Sequence, residues 1–119
     1  MGGGPRRTAR TSAKIVILPV IHRLHLWYEA DLDVVDAVAW YEGQCSGLGG
    51  ELLMELDAVM QRVFQVPLQF PEITEGVRRA LLQRFPYSVY FKVGDETVDV
   101  VAILHHHRHA RIWEQRIIK

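Results

Sequence analysis

The chain has a single cysteine and no long apolar run. Of its 119 residues, Cys45 is the one cysteine, so the sequence excludes both an intramolecular disulfide and a zinc site built from several thiolates. A chain without disulfides fits a reducing cytoplasm. The longest apolar stretch, residues 15–18, continues past Pro19 only to Ile21. A membrane-spanning helix needs about 20 apolar residues, so we predict that the protein has no contact with a membrane.

The beginning of the chain imitates an export signal without completing one. Basic residues precede the apolar stretch, as in a signal peptide, but Pro19 interrupts that stretch. His22, Arg23 and His25 then stand where a cleavage site would need small residues. The sequence therefore predicts a protein that stays in the cytoplasm.

Composition favours one globular domain behind a short tail. Hydrophobic residues make up 49% of the chain and charged residues 24%, which is ordinary for a soluble domain. The first 14 residues, MGGGPRRTARTSAK, contain glycines and scattered bases without apolar periodicity. We predict a disordered basic tail over residues 1–14 and a single domain over residues 15–119. A basic arm that touches nucleic acid is the alternative interpretation of the tail.

The net charge of zero conceals an uneven distribution. Residues 29–75 carry ten acids and one base, whereas residues 76–119 carry eight bases, four acids and four histidines. An acidic middle followed by a basic end suggests a surface that faces an anionic partner, either nucleic acid or an acidic protein. The alternative is that the two parts neutralise each other within the fold.

Periodicity predicts a strand and then two helices. RLHLWYEA alternates between apolar and polar positions and is typical of a strand. ADLDVVDAVAWYEGQ changes to helical spacing, with Asp31 and Asp33 suited to the positive start of a helix. ELLMELDAVMQRVFQV ends before Pro67 and carries a wide apolar stripe, made of Leu52, Leu53, Leu56, Val59, Met60, Val63 and Phe64. The short link CSGLGG predicts that the two helices form an antiparallel hairpin.

The second half returns to strand periodicity. PLQFPEITEG is interpreted as a loop, and the strands VRRALL, RFPYSVYFKV and TVDVVAIL follow, the last two joined by a tight turn at GDE. TVDVVAIL is apolar on both faces and is expected to lie inside the sheet. The predicted fold class is α+β: an N-terminal strand, an antiparallel helical hairpin and a three-stranded antiparallel meander, with the helices on one face of the sheet. No element is assigned to ARIWEQRIIK.

The run HHHRH raises the question of a metal site. In a strand, His105 and His107 share a face, and two imidazoles on one face can bind zinc. A closed zinc site needs about four ligands, and no suitably spaced cysteine or acid lies nearby in the sequence. We therefore predict no metal and no cofactor, and interpret the run as the polar end of a strand.

The same region offers candidate catalytic groups. A nuclease needs a proton-transfer group and cations for the scissile phosphate, which His105, Arg79 and Arg108 could supply if the strands bring them together. The alternative is that these arginines are simply solvated. FPYSVYF is aromatic enough for base stacking, but alternation assigns Tyr87 and Ser88 to opposite faces, and core packing explains one of those faces. Trp113 and Arg116, three residues apart, are typical of a packed aromatic ring with a neighbouring cation.

Four segments, in this order, resemble the RelE/ParE superfamily of bacterial type II toxins. They are WYEGQCSGLGGELLMELDAVMQRV, FPEI, VRRALLQRFPYSVYFKV and VDVVAILHHHRHARIWEQR, within residues 22–116. The resemblance is carried most strongly by RRALLQRFPYSVYF and by the pattern His105, Arg108, Trp113 and Arg116. It implies a twisted antiparallel sheet with a helical hairpin, and a toxin that a cognate antitoxin binds and silences.

The superfamily divides by target, and the resemblance implies two alternatives. ParE-like members bind DNA gyrase, whereas RelE-like members cut messenger RNA on the ribosome without metal. Ribonuclease members usually carry several lysines and arginines and a tyrosine near the C-terminus. Here Lys92 is the one lysine between position 14 and the last residue, and no tyrosine follows Tyr90. These departures favour a ParE-like branch, a growth-inhibiting binder, or an uncharacterised one. A decayed member that only binds an antitoxin is a third alternative. The residues that we expect to contact the target or the antitoxin are Arg78, Arg79, His105, His107, Arg108, Trp113 and Arg116.

Overall fold

A computed structural model describes residues 23–107 and 111–118 as one mixed five-stranded sheet with three helices. The strands are β1 (Arg23–Leu26), β2 (Glu72–Thr74), β3 (Val77–Leu81), β4 (Tyr87–Val93) and β5 (Thr97–His105). They lie in the order β1-β5-β4-β3-β2. β1 is parallel to β5, and the other neighbours are antiparallel. The predicted meander is therefore β3-β4-β5, and β5 is an interior strand as expected.

The helices are α1 (Tyr28–Gln44), α2 (Leu48–Gln65) and α3 (Arg111–Ile118). The first two form the predicted hairpin and pack on one face of the sheet, which confirms the α+β class. Two elements were missed. β2 forms within the predicted loop, and α3 forms where no element was assigned. β1 also ends sooner than predicted, because α1 begins at Tyr28 and its first turn closes through the bond from Asp31 N to Trp27 O (2.9 Å).

α2 supplies most of the helical side of the core. Its fully buried side chains recur at helical spacing and pack against Val89, Phe91 and Val100 of the sheet; they are Leu52, Leu56, Val59 and Val63. The predicted stripe was too wide, because Leu53 and Phe64 at its borders are exposed. The side chain of Glu55 also accepts bonds from the backbone N–H groups of Gln83 and Arg84. These bonds tie α2 to the β3–β4 connection.

The α1–α2 turn depends on glycine and on one carboxylate. Gly47 has φ 91°, which favours glycine over residues with a Cβ. Gly49 lies against α1, where a Cβ would come within 2.8 Å of the Val38 carbonyl oxygen. Glu42 accepts the N–H groups of Gly47 (2.8 Å) and Gly49 (2.9 Å), which satisfies donors that the start of α2 would otherwise leave open. The sequence CSGLGG thus fixes a close antiparallel hairpin.

The opposite face of the sheet is covered by α3. Tyr90, Val101, Leu104 and Trp113 form a second buried cluster there, with the Trp113 ring stacked on Tyr90 at 5.6 Å. A bulge helps to build it, because Tyr90 pairs with Ala102 while Phe91 pairs with Val100, so that β5 carries one extra residue. No helix in residues 23–107 or 111–118 is long and apolar enough to span a membrane.

Candidate functional site

An ion pair closes the edge of β5 where β1 ends. β1 pairs with β5 only as far as Val100, so the next backbone groups of β5 lack a strand partner on that side. The Asp33 carboxylate of α1 accepts the Ile103 N–H (3.0 Å), and the Arg116 guanidinium of α3 donates to the Val101 carbonyl (3.0 Å). The two side chains also pair with each other through two bonds, of 2.7 and 3.1 Å.

This ion pair joins three elements and leaves little charge for a partner. Both side chains are only 14% exposed. A buried charge that lost its partner would be costly, so each group holds the other in place. Arg116 is one of the residues predicted to contact a target or antitoxin, and within the chain its guanidinium bonds to Asp33 and to the Val101 carbonyl at the edge of β5.

The histidine run ends β5 and turns away from the sheet. The His107 N–H donates to His105 Nδ1 (3.1 Å), and the two imidazole rings stack at 5.0 Å. The His106 N–H donates to the Pro86 carbonyl (2.8 Å), which fastens the turn to the start of β4. Across the described part of the chain, no group of three or more histidine, cysteine, aspartate or glutamate side chains is placed to hold a metal ion.

His105 belongs to an aromatic cluster on the side of the helical hairpin. It pairs with Tyr87 across the β4–β5 ladder, and their rings lie 5.3 Å apart. The Tyr87 ring meets Tyr41 at 6.1 Å, and Tyr41 meets Trp40 at 4.9 Å, both edge to face. Trp40 remains 58% exposed. A cavity of about 220 Å³ lies beside these rings, and it is also lined by Asp33 and Asp36 of α1.

The two arginines of β3 lie on opposite faces of the sheet. Arg78 pairs with Phe91, on the hairpin side, where its guanidinium donates to the Phe70 carbonyl (2.7 Å) and lies 3.5 Å from Glu72. Arg79 pairs with Tyr90, on the α3 side. Arg78 therefore holds the segment before β3 in place, and only Arg79 belongs to the face that α3 covers.

Among the described residues, three buried polar atoms on the α3 side have no hydrogen-bond partner. They are Arg79 Nε, Ser88 Oγ and Trp113 Nε1. Arg79 lies directly opposite Tyr90, and Trp113 stacks on that ring, so two of the three atoms belong to residues beside the same tyrosine. Trp113 was predicted both as a packed aromatic ring and as a contact residue. It is 4% exposed and packs in the second cluster, so a partner could reach it only if α3 moved.

The structure does not bring the predicted contact residues onto one surface. His105 and Arg79 lie on opposite faces, Arg116 is engaged at the edge of β5, and Trp113 is buried. Arg108 lies outside the described residues. His105 and Arg79 therefore cannot contact the same phosphate, as the predicted catalytic set would require.

The sequence analysis missed the residues that build the cleft beside His105. Asp33, Asp36 and Trp40 follow one another at intervals of three and four, which places them on one face of α1. That spacing was a readable signal. The apolar periodicity that defines α1 does not mark these residues, and nothing in the sequence tells which strand the polar side of α1 approaches.

Apart from the cleft beside His105, α1 exposes a row of apolar side chains on its outer face. Tyr28, Leu32 and Val35 recur at intervals of four and three and are 73%, 42% and 56% exposed. On α2, Leu53 and Met54 are exposed as well. Contiguous exposed apolar surface on a soluble domain is typical of a contact site for another protein.

Comparison with known proteins shows which fold this is. No family model matches the chain, and no curated protein matches it. A chain in the solved structure of the chromosomal ParDE toxin–antitoxin system from P. aeruginosa is similar, with a TM-score of 0.64 and 20% sequence identity over 73% of this chain and 96% of that chain. The chain therefore has the fold that its resemblance to the RelE/ParE superfamily implied.

Proposed function

We propose that the protein is the toxin of a type II toxin–antitoxin pair, which inhibits growth by binding an essential target of the gyrase type and is neutralised by a cognate antitoxin. The observation that carries the proposal is the fold shared with a chain of a ParDE toxin–antitoxin structure. The sequence resemblance supports the same class independently, through the order of its motifs along residues 22–116.

The exposed apolar row supports the existence of an antitoxin. Tyr28, Leu32 and Val35 leave a row of apolar surface on the outer side of the helical hairpin. Burying apolar surface contributes about 25 cal/mol per Å², so a partner that covered this row would gain affinity from it. A protein partner explains why α1 keeps these side chains exposed.

The placement of the basic residues favours binding over ribonuclease chemistry. General acid–base catalysis needs the proton-transfer group and the cations around the same phosphate. Here His105 and Arg79 lie on opposite sides of the sheet, and Arg116 is engaged with Asp33. The alternative is a metal-independent and ribosome-dependent messenger RNA endonuclease. Beside His105, such an enzyme would need cations other than Arg79 and Arg116. Arg79, His105, His107 and Arg108 remain our candidates for contact with the target.

Two assays on the purified protein separate the target classes. The first measures supercoiling by DNA gyrase, and the second measures cleavage of messenger RNA on translating ribosomes. We expect the first activity to be inhibited and the second assay to show no cleavage. The double variant Arg79→Ala with Arg108→Ala, folded by circular dichroism, should inhibit supercoiling less than the parent. Ribosome-dependent cleavage by the parent protein would replace the gyrase-type proposal with the ribonuclease one.

A further inference from the structure

A cleft beside Trp40 combines aromatic walls with a carboxylate that has no partner among the described side chains. Two cavities, of about 220 and 230 Å³, share the lining residues Trp40, Tyr87 and His105. The first is also lined by Asp36, and the second by Tyr41. We refer to the two together as the Trp40 cleft. Four rings from three elements, α1, β4 and β5, thus line the cleft at the end of the sheet.

The wall that α1 contributes to the cleft carries carboxylates. α1 contains five carboxylates and no basic residue. Asp33 pairs with Arg116, and Glu42 accepts the N–H groups of the α1–α2 turn. Within residues 23–107 and 111–118, the side chain of Asp36 has neither a hydrogen bond nor an ion pair. Asp36 therefore gives the wall of the cleft a carboxylate that no described side chain pairs with.

The aromatic lining has the chemistry that recognises a cation. The faces of tryptophan and tyrosine rings carry partial negative charge, and tryptophan attracts a cation most strongly. Trp40 follows Asp36 by one helical turn, so its indole and the carboxylate border the same opening. A guanidinium group can stack its plane on a ring while it donates hydrogen bonds to a carboxylate at its edge. An ammonium group offers the same charge without that planar match.

From these features we infer that the Trp40 cleft binds an arginine side chain of a partner polypeptide, with the guanidinium stacked on Trp40 and bonded to the Asp36 carboxylate. The inference does not depend on the proposed toxin activity, because it rests on the lining of the cleft alone. In a protein complex such an arginine would be a central anchor, since arginine seated in an aromatic pocket is a common hot spot of binding energy.

The test uses the full chain and a pair of small ligands that differ only in charge. N-acetyl-arginine amide is titrated into the protein at pH 8, and N-acetyl-citrulline amide, its neutral counterpart, serves as the control. The readout is the nuclear magnetic resonance signal of the Trp40 indole N–H together with the Asp36 and Tyr87 amides. We expect saturable shifts with the arginine ligand at about millimolar concentration and none with citrulline. Equal shifts with both ligands, or no shift with either, would overturn the inference.

Matched variants distinguish the cleft from general attraction to an acidic helix. Asp36→Asn and Trp40→Leu should each weaken arginine binding about tenfold, since each removes one of the two contacts. Asp31→Asn removes a carboxylate from the same helix outside the cleft and should leave binding unchanged. Equal weakening by Asp31→Asn and Asp36→Asn would mean that the arginine ligand is attracted by the total charge of α1 and does not bind in the Trp40 cleft.

The chain's own basic segment is the competing occupant. Arg6, Arg7, Arg10 and Lys14 lie ahead of β1 in the sequence. If deletion of residues 1–14 moves the Trp40 indole signal, and the arginine ligand added to the shortened chain moves it back, the cleft belongs to this segment, and the inference of a partner's arginine is overturned. If the deletion leaves that signal in place and the ligand still binds, the inference stands.

Discussion

At the scale of single residues, the clearest feature is the pairing of Asp33 with Arg116 across 83 positions of sequence. Both residues were noticed in the sequence, and each for a different reason. Asp33 was interpreted as a helix-start acid, and Arg116 as a contact residue. Neither interpretation included the backbone groups at the edge of β5 that both side chains also bind. The pairing could not be predicted because it depends on where β1 stops, which is set by the start of α1 and by no local pattern.

Breaking the Asp33–Arg116 pair should destabilise the fold. Replacing Arg116 with Met leaves the Asp33 carboxylate buried without its partner, which costs about 3–5 kcal/mol in comparable cases. The measurement is the free energy of unfolding in urea. Arg62→Met removes an exposed arginine from α2 and is the matched control; its guanidinium lies over the Phe70 ring, 5.7 Å from the centroid, so the expected change is about 1 kcal/mol or less. Equal effects of the two substitutions would show that the buried pair does not contribute to the free energy of unfolding.

His105→Gln tests whether the imidazole transfers a proton. Glutamine retains an acceptor for the His107 N–H but cannot exchange protons near neutral pH. For a binding protein, we expect the concentration that half-inhibits gyrase supercoiling to change by less than about threefold. A nuclease that used His105 in catalysis would lose about 100-fold or more in rate. A loss of that size, in a variant that still folds, would favour the ribonuclease alternative.

At the scale of elements, predictions held where one strong periodicity determined the structure. The alternation in FPYSVYF assigned Tyr87 and Ser88 to opposite faces, and the structure confirms this, with Tyr87 beside the hairpin core and Ser88 on the other side. β2 has only three residues and forms because β3 is there to pair with it. α3 has eight residues, and Trp113 packs it on the sheet. Such short elements depend on tertiary contacts that local periodicity does not encode.

A pair of substitutions on α2 tests which of its faces is buried. Leu56 is 1% exposed and Leu53 is 45% exposed, although both belonged to the predicted stripe. Leu56→Asp buries an unpaired charge and should destabilise the protein by several kcal/mol, which is about the largest effect expected of a single substitution. Leu53→Asp should cost less than about 1 kcal/mol. The urea midpoint reports both. A folded and unshifted Leu56→Asp protein would mean that α2 does not pack on the sheet in this way.

At the scale of the whole molecule, the uneven charge has a partly internal explanation. Arg116 pairs with Asp33, Arg84 with Glu51 and Arg78 with Glu72, so each of these basic residues from the C-terminal third meets an acid from the middle. That is the alternative the sequence analysis left open, in which the two parts neutralise each other. The net charge of a segment does not tell which charges form pairs. It therefore could not distinguish neutralisation within the fold from a surface that faces an anionic partner. Arg79 and Lys92 have no ion pair within the part of the chain that the structure describes.

Removing the first 14 residues should leave stability nearly unchanged. The segment lies outside both the described residues and the family resemblance, and its composition predicts few buried contacts. We expect the melting temperature of the chain without residues 1–14 to stay within about 5 °C of the full chain. Protection of the amides of residues 1–14 from hydrogen exchange in the full chain would contradict this expectation.

The measurement that tests the central claim most directly is growth after induced expression in bacteria that lack a cognate antitoxin. We expect growth to stop with the parent chain and to continue with the destabilised Leu56→Asp variant. Co-expression of a small protein encoded beside this chain, as an antitoxin would be, should restore growth and yield a complex with the parent chain. Undiminished growth at a level of folded parent protein that is readily detected would contradict the assignment as a toxin.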